Sequence, residues 1–362
     1  MPETAARNSL AQFRLGVVEG YFGRQWSWQA RRDYAPFLAT QGCNSYIYAP
    51  KNDVWLRKQW HAPFPLSHLN ALKDLQGEYR KHKIEFGIGL SPFELYKDFS
   101  ARNRDLLRRK LDEINVIGPD TLCILFDDMM GDLRDLAHAQ LAIMDYVTEH
   151  STAQHFVICP TYYSYDPLLT RHFGAQPEHY LEDLGKGLAA TVDFFWTGPK
   201  VISNTYPRAH LLEVADKLRR KPLLWDNYPV NDAKRLAPFL HLQPPVRHAA
   251  ELRELCSGHL ANPMNQPYLS QLPLYGLAAL YANETVDPEA LLAKASAELC
   301  PPALAQALQE DVGLVQNSGL DALDASAKEK LLGKYAAIKH PMAEEVCGWL
   351  RGEYAFDPAC LT

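Results

Sequence analysis

Short apolar runs that stop on hydrogen-bonding residues recur along this chain, and they constrain its fold more than any other feature. Leu122-Cys123-Ile124-Leu125-Phe126 stops on two adjacent carboxylates, Asp127 and Asp128. Ser45 to Tyr48 ends in Ala49-Pro50-Lys51-Asn52-Asp53, and Phe156 to Cys159 ends in Pro160-Thr161-Tyr162-Tyr163. Phe194 to Trp196 leads into Thr197-Gly198-Pro199-Lys200, and Leu223 to Trp225 into Asp226-Asn227. Charged groups at the end of a buried strand are costly unless the backbone there gives way to a cavity. Repeated around a molecule, this pattern predicts a barrel whose site lies at the C-terminal ends of its strands.

The rest of the chain supplies the other elements. Arg14 to Glu19 reads as the first strand, Glu85 to Gly89 as the third, and Gly258 to Ala261, ahead of Asn262-Pro263, as the eighth. Between strands, Ser27 is placed to cap a helix reaching Thr40, and Ser67 to open one reaching Lys83. Leu106, Leu107, Leu111 and Ile114 give helical spacing to Asn103–Ile117. Leu133–Thr148, the segment holding Leu211, Val214 and Leu218, and a closing stretch from Leu272 to Ala282 also read as helices. Alternation of strand and helix about eight times gives the α/β class and a (β/α)8 barrel. A doubly wound open sheet usually carries G-x-G-x-x-G after its first strand; Gly20 and Gly23 do not make that pattern. From Asp287 to Leu350 the chain is rich in Ala, Leu, Glu and Lys, with breaks at Pro301-Pro302, Asn317-Ser318-Gly319 and His340-Pro341. Three or four helices are expected there, dividing the chain into a barrel over 1–285 and an all-α region over 286–362.

Composition excludes several function classes. A net charge of -6 leaves no basic footprint for nucleic acid. No apolar stretch approaches the ~18 residues of a membrane span, and Met1 to Phe13 lacks the apolar core of a secretory signal. The seven cysteines are odd in number and form no C-x-x-C pair, as expected of reduced thiols in a cytoplasmic protein. H-E-x-x-H, G-x-S-x-G and the Walker pattern are all missing.

The carboxylate pair is the strongest chemical signal. Neighbours on a regular strand face opposite ways, so Asp127 and Asp128 share a pocket only if the chain leaves the strand there; Gly131 permits such a turn. Two nearby carboxyl groups push their pKa values apart, which suits one ionised group beside one proton donor. A divalent-cation site and a capping Asp beside a solvated one are the competing readings. Trp225-Asp226-Asn227 and Asn231-Asp232 combine a flat apolar wall with donors and acceptors able to read sugar hydroxyls, or form a turn. Lys51 and Tyr163 could each bond a substrate oxygen from neighbouring strand ends.

Taken in order, VVEGYFGR, YIYAPKND, ILFDD, ICPTYY, WTGPKV, WDNYPVND and LANP resemble the retaining β-N-acetylglucosaminidases that include protein O-GlcNAcase and bacterial relatives described as hyaluronidases. The resemblance covers about Arg14 to Ala282. It implies hydrolysis of terminal β-linked GlcNAc by substrate-assisted catalysis, in which the 2-acetamido oxygen is the nucleophile and an oxazoline forms. On this resemblance Asp127 would orient the acetamido N–H. Asp128 would protonate the leaving oxygen and then activate water. Gly20, Lys51, Asn227, Asp232 and Asn262 would bind the sugar, Tyr163 would bond the acetamido-derived oxygen, and Trp225 would wall the acetamido pocket. No cofactor or metal is required. The substrate would be a GlcNAc-bearing glycoprotein, glycopeptide or glycan, and the C-terminal helices are the candidate surface for a homodimer. Two departures stand out: Tyr21-Phe22 inverts the family's usual order, and Tyr162 replaces an acidic residue, both expected to affect the aglycone side. A GlcNAc-binding protein without catalysis and a metal-dependent hydrolase using the Asp pair are the alternatives.

Overall fold

The computed structural model describes residues 13–245, 251–277, 279–281 and 287–357. Eight parallel strands close in sequence order: β1 (Arg14–Glu19), β2 (Ser45–Tyr48), β3 (Glu85–Leu90), β4 (Thr121–Leu125), β5 (His155–Cys159), β6 (Val192–Trp196), β7 (Leu223–Asp226) and β8 (Gly258–Ala261). β1 pairs on one side with β2, Gly16 opposite Ser45, and on the other with β8, Arg14 opposite Gly258. The strands are apolar because both faces are covered, by interior side chains within and helices without. Val17, Tyr46, Phe86, Ile88, Ile124, Ile158 and Phe194 are all fully buried. The eighth strand, whose signal was faintest, has the bounds expected of it.

Local chemistry sets the helix limits. Ser27 caps Trp28–Thr40, its Oγ accepting from the Ala30 amide at 3.1 Å. Ala101–Ile117 buries Leu107, Leu111 and Ile114 and stops at Gly118, whose φ of +72° takes the left-handed conformation that ends helices. The second helix, expected to open at Ser67 and reach Lys83, runs Leu66–Lys81 with Pro65 at its N-cap. The closing helix is Pro267–Leu274 rather than Leu272–Ala282, and Ala282 lies outside the described residues. Pro267 is preset for a first helical turn, and the helix it opens is buried from Leu269 through Leu274. Two further helices, Pro167–Phe173 and Tyr180–Gly187, fill the β5–β6 connection.

Four helices follow residue 287: Pro288–Leu299, Pro302–Val312, Ala325–Ala336 and Pro341–Leu350. Each begins where a Pro or an Asp cap permits. They share a second core with the barrel's last connections, in which Leu240, Met264, Leu269 and Leu272 meet Leu292, Leu308, Tyr335 and Trp349. Glu345 is the polar tie. Its buried carboxyl accepts from the Tyr268 and Leu269 amides at 3.0 and 2.7 Å, and burial pushes its pKa to about 8. The division expected at 285/286 falls outside the described residues. Among those residues no helix is long and apolar enough to cross a membrane.

Candidate active site

The pocket at the strands' C-terminal ends is built around the end of β4. Ladder pairing continues one residue past the strand, with the Phe126 amide donating to Cys159 O at 2.8 Å and Thr161 Oγ1 donating to Phe126 O at 3.0 Å. Asp128 then takes φ = +56°. Left-handed backbone disfavours most L-residues, and Asp is among the few that tolerate it. This turn breaks the strand alternation, so both carboxylates line one cavity. Gly131 serves a different purpose from the one the sequence suggested. Its φ is not positive; a Cβ there would lie 2.3 Å from Tyr162 Oη, so glycine is needed for close approach rather than for the turn.

The two carboxyl groups have unlike surroundings. Lys51 Nζ donates to Asp127 Oδ2 at 2.6 Å, with both side chains almost wholly buried. Asp127 Oδ1 is buried and has no hydrogen-bond partner among the described residues. Asp128 Oδ1 accepts from Tyr163 Oη at 3.3 Å. Burial, then the charge of Asp127, raise the Asp128 pKa, while Lys51, Arg57 and the Tyr163 hydroxyl pull it down. One acid is therefore fixed by a cation and the other is held toward its protonated form, as a proton donor requires.

The opposite wall comes from β1, β7 and β8. Gly20 N donates to Asn262 Oδ1 at 3.1 Å, and Asn262 Nδ2 donates to Asn227 Oδ1 at 3.0 Å. The same Asn227 oxygen accepts from Trp225 Nε1 at 3.0 Å, and Asn227 Nδ2 donates to Val201 O at 2.9 Å. Asp232 Oδ2 accepts from the Phe22 amide at 2.8 Å, and burial pushes its pKa up to about 6. Trp225 stands edge-on to Phe195 at 5.0 Å and leaves room for Gly20 but for no Cβ there. The cavity, about 190 Å³, is also lined by Phe22, Cys159, Thr197, Val201, Ile202 and Leu236.

Eight of the nine residues singled out from sequence line this cavity: Gly20, Asp127, Asp128, Tyr163, Trp225, Asn227, Asp232 and Asn262. Lys51 sits behind it, paired with Asp127. Asn231, grouped with Asp232 as a sugar reader, is instead spent on structure. Its Nδ2 donates to Phe239 O and Gln266 Oε1, and its Oδ1 accepts from the Asn265 amide. Tyr162 also stays out of the pocket, its hydroxyl donating to Gly174 O at 2.8 Å. The Tyr21-Phe22 inversion sends Tyr21 Oη inward to Glu19 at 2.9 Å and leaves the apolar Phe22 ring on the cavity. Sequence reasoning missed the apolar lining and Arg57, a buried cation six residues beyond Lys51 that nothing but burial distinguishes.

A family model described as beta-N-acetylglucosaminidase matches residues 15–311. The chain is 29% identical over 289 residues to protein O-GlcNAcase of Rattus norvegicus and 29% identical over 287 residues to that of Mus musculus, covering 77% of this chain in each case. It spans about a third of the length of these curated relatives, 31% in each case. Among solved structures, a mutant of the O-GlcNAc hydrolase of Thermobaculum terrenum superposes with a TM-score of 0.75 at 30% identity, over 94% of this chain and 75% of that one.

Proposed function

We propose, from the premise that this chain belongs to the beta-N-acetylglucosaminidase family, that it is a retaining exo-β-N-acetylglucosaminidase working by substrate-assisted catalysis. One observation carries the proposal. Asp127 has one oxygen tied to Lys51 and the other buried in the cavity wall without a partner among the described residues. A buried carboxylate oxygen left open in this way is costly, and an acetamido N–H is a donor of the right kind to satisfy it.

In the proposed reaction Asp127 Oδ1 accepts the acetamido N–H and raises electron density on the acetamido oxygen. That oxygen attacks C1 as the bond to the leaving oxygen breaks, and the Asp128 proton passes to the leaving group. The products of this step are the alcohol and an oxazolinium ion whose N–H stays bonded to Asp127, with Asp128 ionised. Asp128 then takes a proton from water as the water oxygen attacks C1, which opens the oxazolinium ring and yields GlcNAc with retained configuration. Lys51 Nζ, bonded to Oδ2, holds the Asp127 carboxyl in place while positive charge develops on the acetamido group. Tyr163 holds the Asp128 carboxyl, and the Trp225 face packs against the acetamido methyl.

The proposal extends to GlcNAc on Ser or Thr of proteins, glycopeptides or glycans, in a cytoplasmic setting, with the C-terminal helices as a homodimer surface. Free cysteines at positions 43, 123, 159, 256, 300 and 347 agree with a reducing setting. The test is hydrolysis of an aryl β-N-acetylglucosaminide and of an alkyl one by wild type and Asp128→Asn. The alkyl glycoside, whose leaving group needs the proton, is expected to lose about 10²–10⁴-fold and the activated aryl glycoside much less. Equal losses would remove Asp128 from the general-acid role, and an inactive folded wild type would refute the reading.

A further inference from the structure

Arg57 lies against the backbone of Asp128 and belongs to no role assigned above. It is buried, with 2% of its surface exposed, and among the described residues it makes no ion pair. Its guanidinium carbon lies over the Phe22 ring at 5.4 Å and the Phe93 ring at 5.0 Å. Nη2 donates to the backbone oxygen of Asp128 at 3.4 Å, while Nε and Nη1 have no hydrogen-bond partner among the described residues. The loop carrying it is pinned on both sides, with the Ser91 amide donating to Leu56 O at 2.8 Å and Trp60 Nε1 donating to Phe93 O at 3.3 Å.

A buried cation without a counter-ion is expensive, so its retention calls for a reason. We propose that Arg57 is a positioning residue for the proton donor, holding the left-handed backbone of Asp128 from beneath and supplying the counter-charge for the carboxylate that forms as the proton leaves. Asp127 is matched by Lys51. While Asp128 is protonated the Arg57 charge is unbalanced; once Asp128 ionises it is balanced. An interaction that strengthens along the reaction coordinate lowers the barrier. Arg57 also stacks on Phe22, whose amide holds Asp232, and so joins the proton donor to the sugar-binding wall. Among the described residues, the titratable groups that act electrostatically on Asp128 are Asp127, Lys51, Arg57, Tyr163, Cys159 and Asp232, and the cations in that set are Lys51 and Arg57.

The inference rests on the reading of Asp128 as general acid, and the experiment separates the two. Wild type, Arg57→Met and Arg57→Lys are compared on an aryl and an alkyl β-N-acetylglucosaminide across pH, with thermal melts as a check on folding. Arg57→Met is expected to lose about 10²-fold in kcat on the alkyl substrate and under about 10-fold on the aryl one. The alkaline limb of its kcat/KM profile should move to higher pH, because removing a cation raises the Asp128 pKa. Arg57→Lys keeps the charge and should keep the limb where wild type has it, with a loss still confined to the alkyl substrate. If Arg57→Met does not fold, that pattern in Arg57→Lys carries the test. Equal losses on both substrates with an unmoved limb, or wild-type kinetics in both variants, would overturn the role of Arg57 while leaving the glycosidase intact. Inactivity of wild type itself on both substrates would overturn the glycosidase reading and this inference with it.

Discussion

Replacing Gly20 with alanine tests the cavity wall through a single methyl group. A Cβ on Gly20 would lie 2.1 Å from Trp225 Cζ2 and 2.4 Å from Cη2, against the 3.4 Å at which ordinary contact begins. The indole must therefore retreat by about 1.3 Å. It is not free to do so, since Nε1 is bonded to Asn227 and the ring is set against Phe195. Retreat would also pull on the Asn227–Asn262 bond and on the Gly20 amide that Asn262 receives. Forced overpacking of this kind costs about 1–3 kcal/mol of stability. A displacement of about 1 Å at a reacting centre costs on the order of 10²-fold in rate. The same substitution at Gly77, inside the helix Leu66–Lys81 with nothing within 4 Å of its added Cβ, should instead stabilise by about 0.8–1 kcal/mol and leave kinetics alone. Urea denaturation and aryl N-acetylglucosaminide kinetics on both variants make the comparison. Wild-type kcat/KM in a folded Gly20→Ala would refute the assignment of Trp225 and Gly20 to one substrate wall.

Two further outcomes are expected. Lys51→Met breaks a buried pair and strands Asp127, which should cost about 3–5 kcal/mol in urea denaturation; a loss under about 1 kcal/mol would show that the pair behaves as an exposed one. Asp232, raised to about 6 by burial, binds its proton more tightly folded than unfolded, so its contribution to stability falls as pH rises from about 4 through 6. Asp232→Asn should remove that slope and leave the one from Glu345, raised to about 8. Denaturation of both proteins at pH 4, 5, 6 and 7 would contradict the burial argument if the stability difference stayed constant.

Much of this arrangement was legible because barrel strands announce themselves by composition. β1, β2 and β8 have the bounds read from their apolar runs, and the polar residues ending the runs converge because closure leaves them no other place to go. Helix boundaries were less legible where a Pro competes with a Ser for the cap, as at Pro65 and Ser67. The roles of Asn231, Tyr162 and Gly131 could not be read locally. Asn231 is drawn out of the pocket by Phe239, Gln266 and Asn265, which it meets across the loop. Gly131 is small because of Tyr162, a residue 31 positions away that local pattern does not connect to it. Arg57 looks like any loop arginine until Phe22 and Phe93, from two other loops, close over it.

In the proposed mechanism the substrate's own acetamido oxygen, aligned by Asp127, is the nucleophile. Its most direct test is kcat/KM for aryl β-glucosaminides whose N-acetyl group carries zero, one, two or three fluorines. Each fluorine withdraws electrons from the acetamido oxygen, so the account predicts a steep, monotonic fall across the series, flattened in Asp127→Asn. A rate indifferent to fluorination in the wild type would place the nucleophile on the protein or on water and contradict the account.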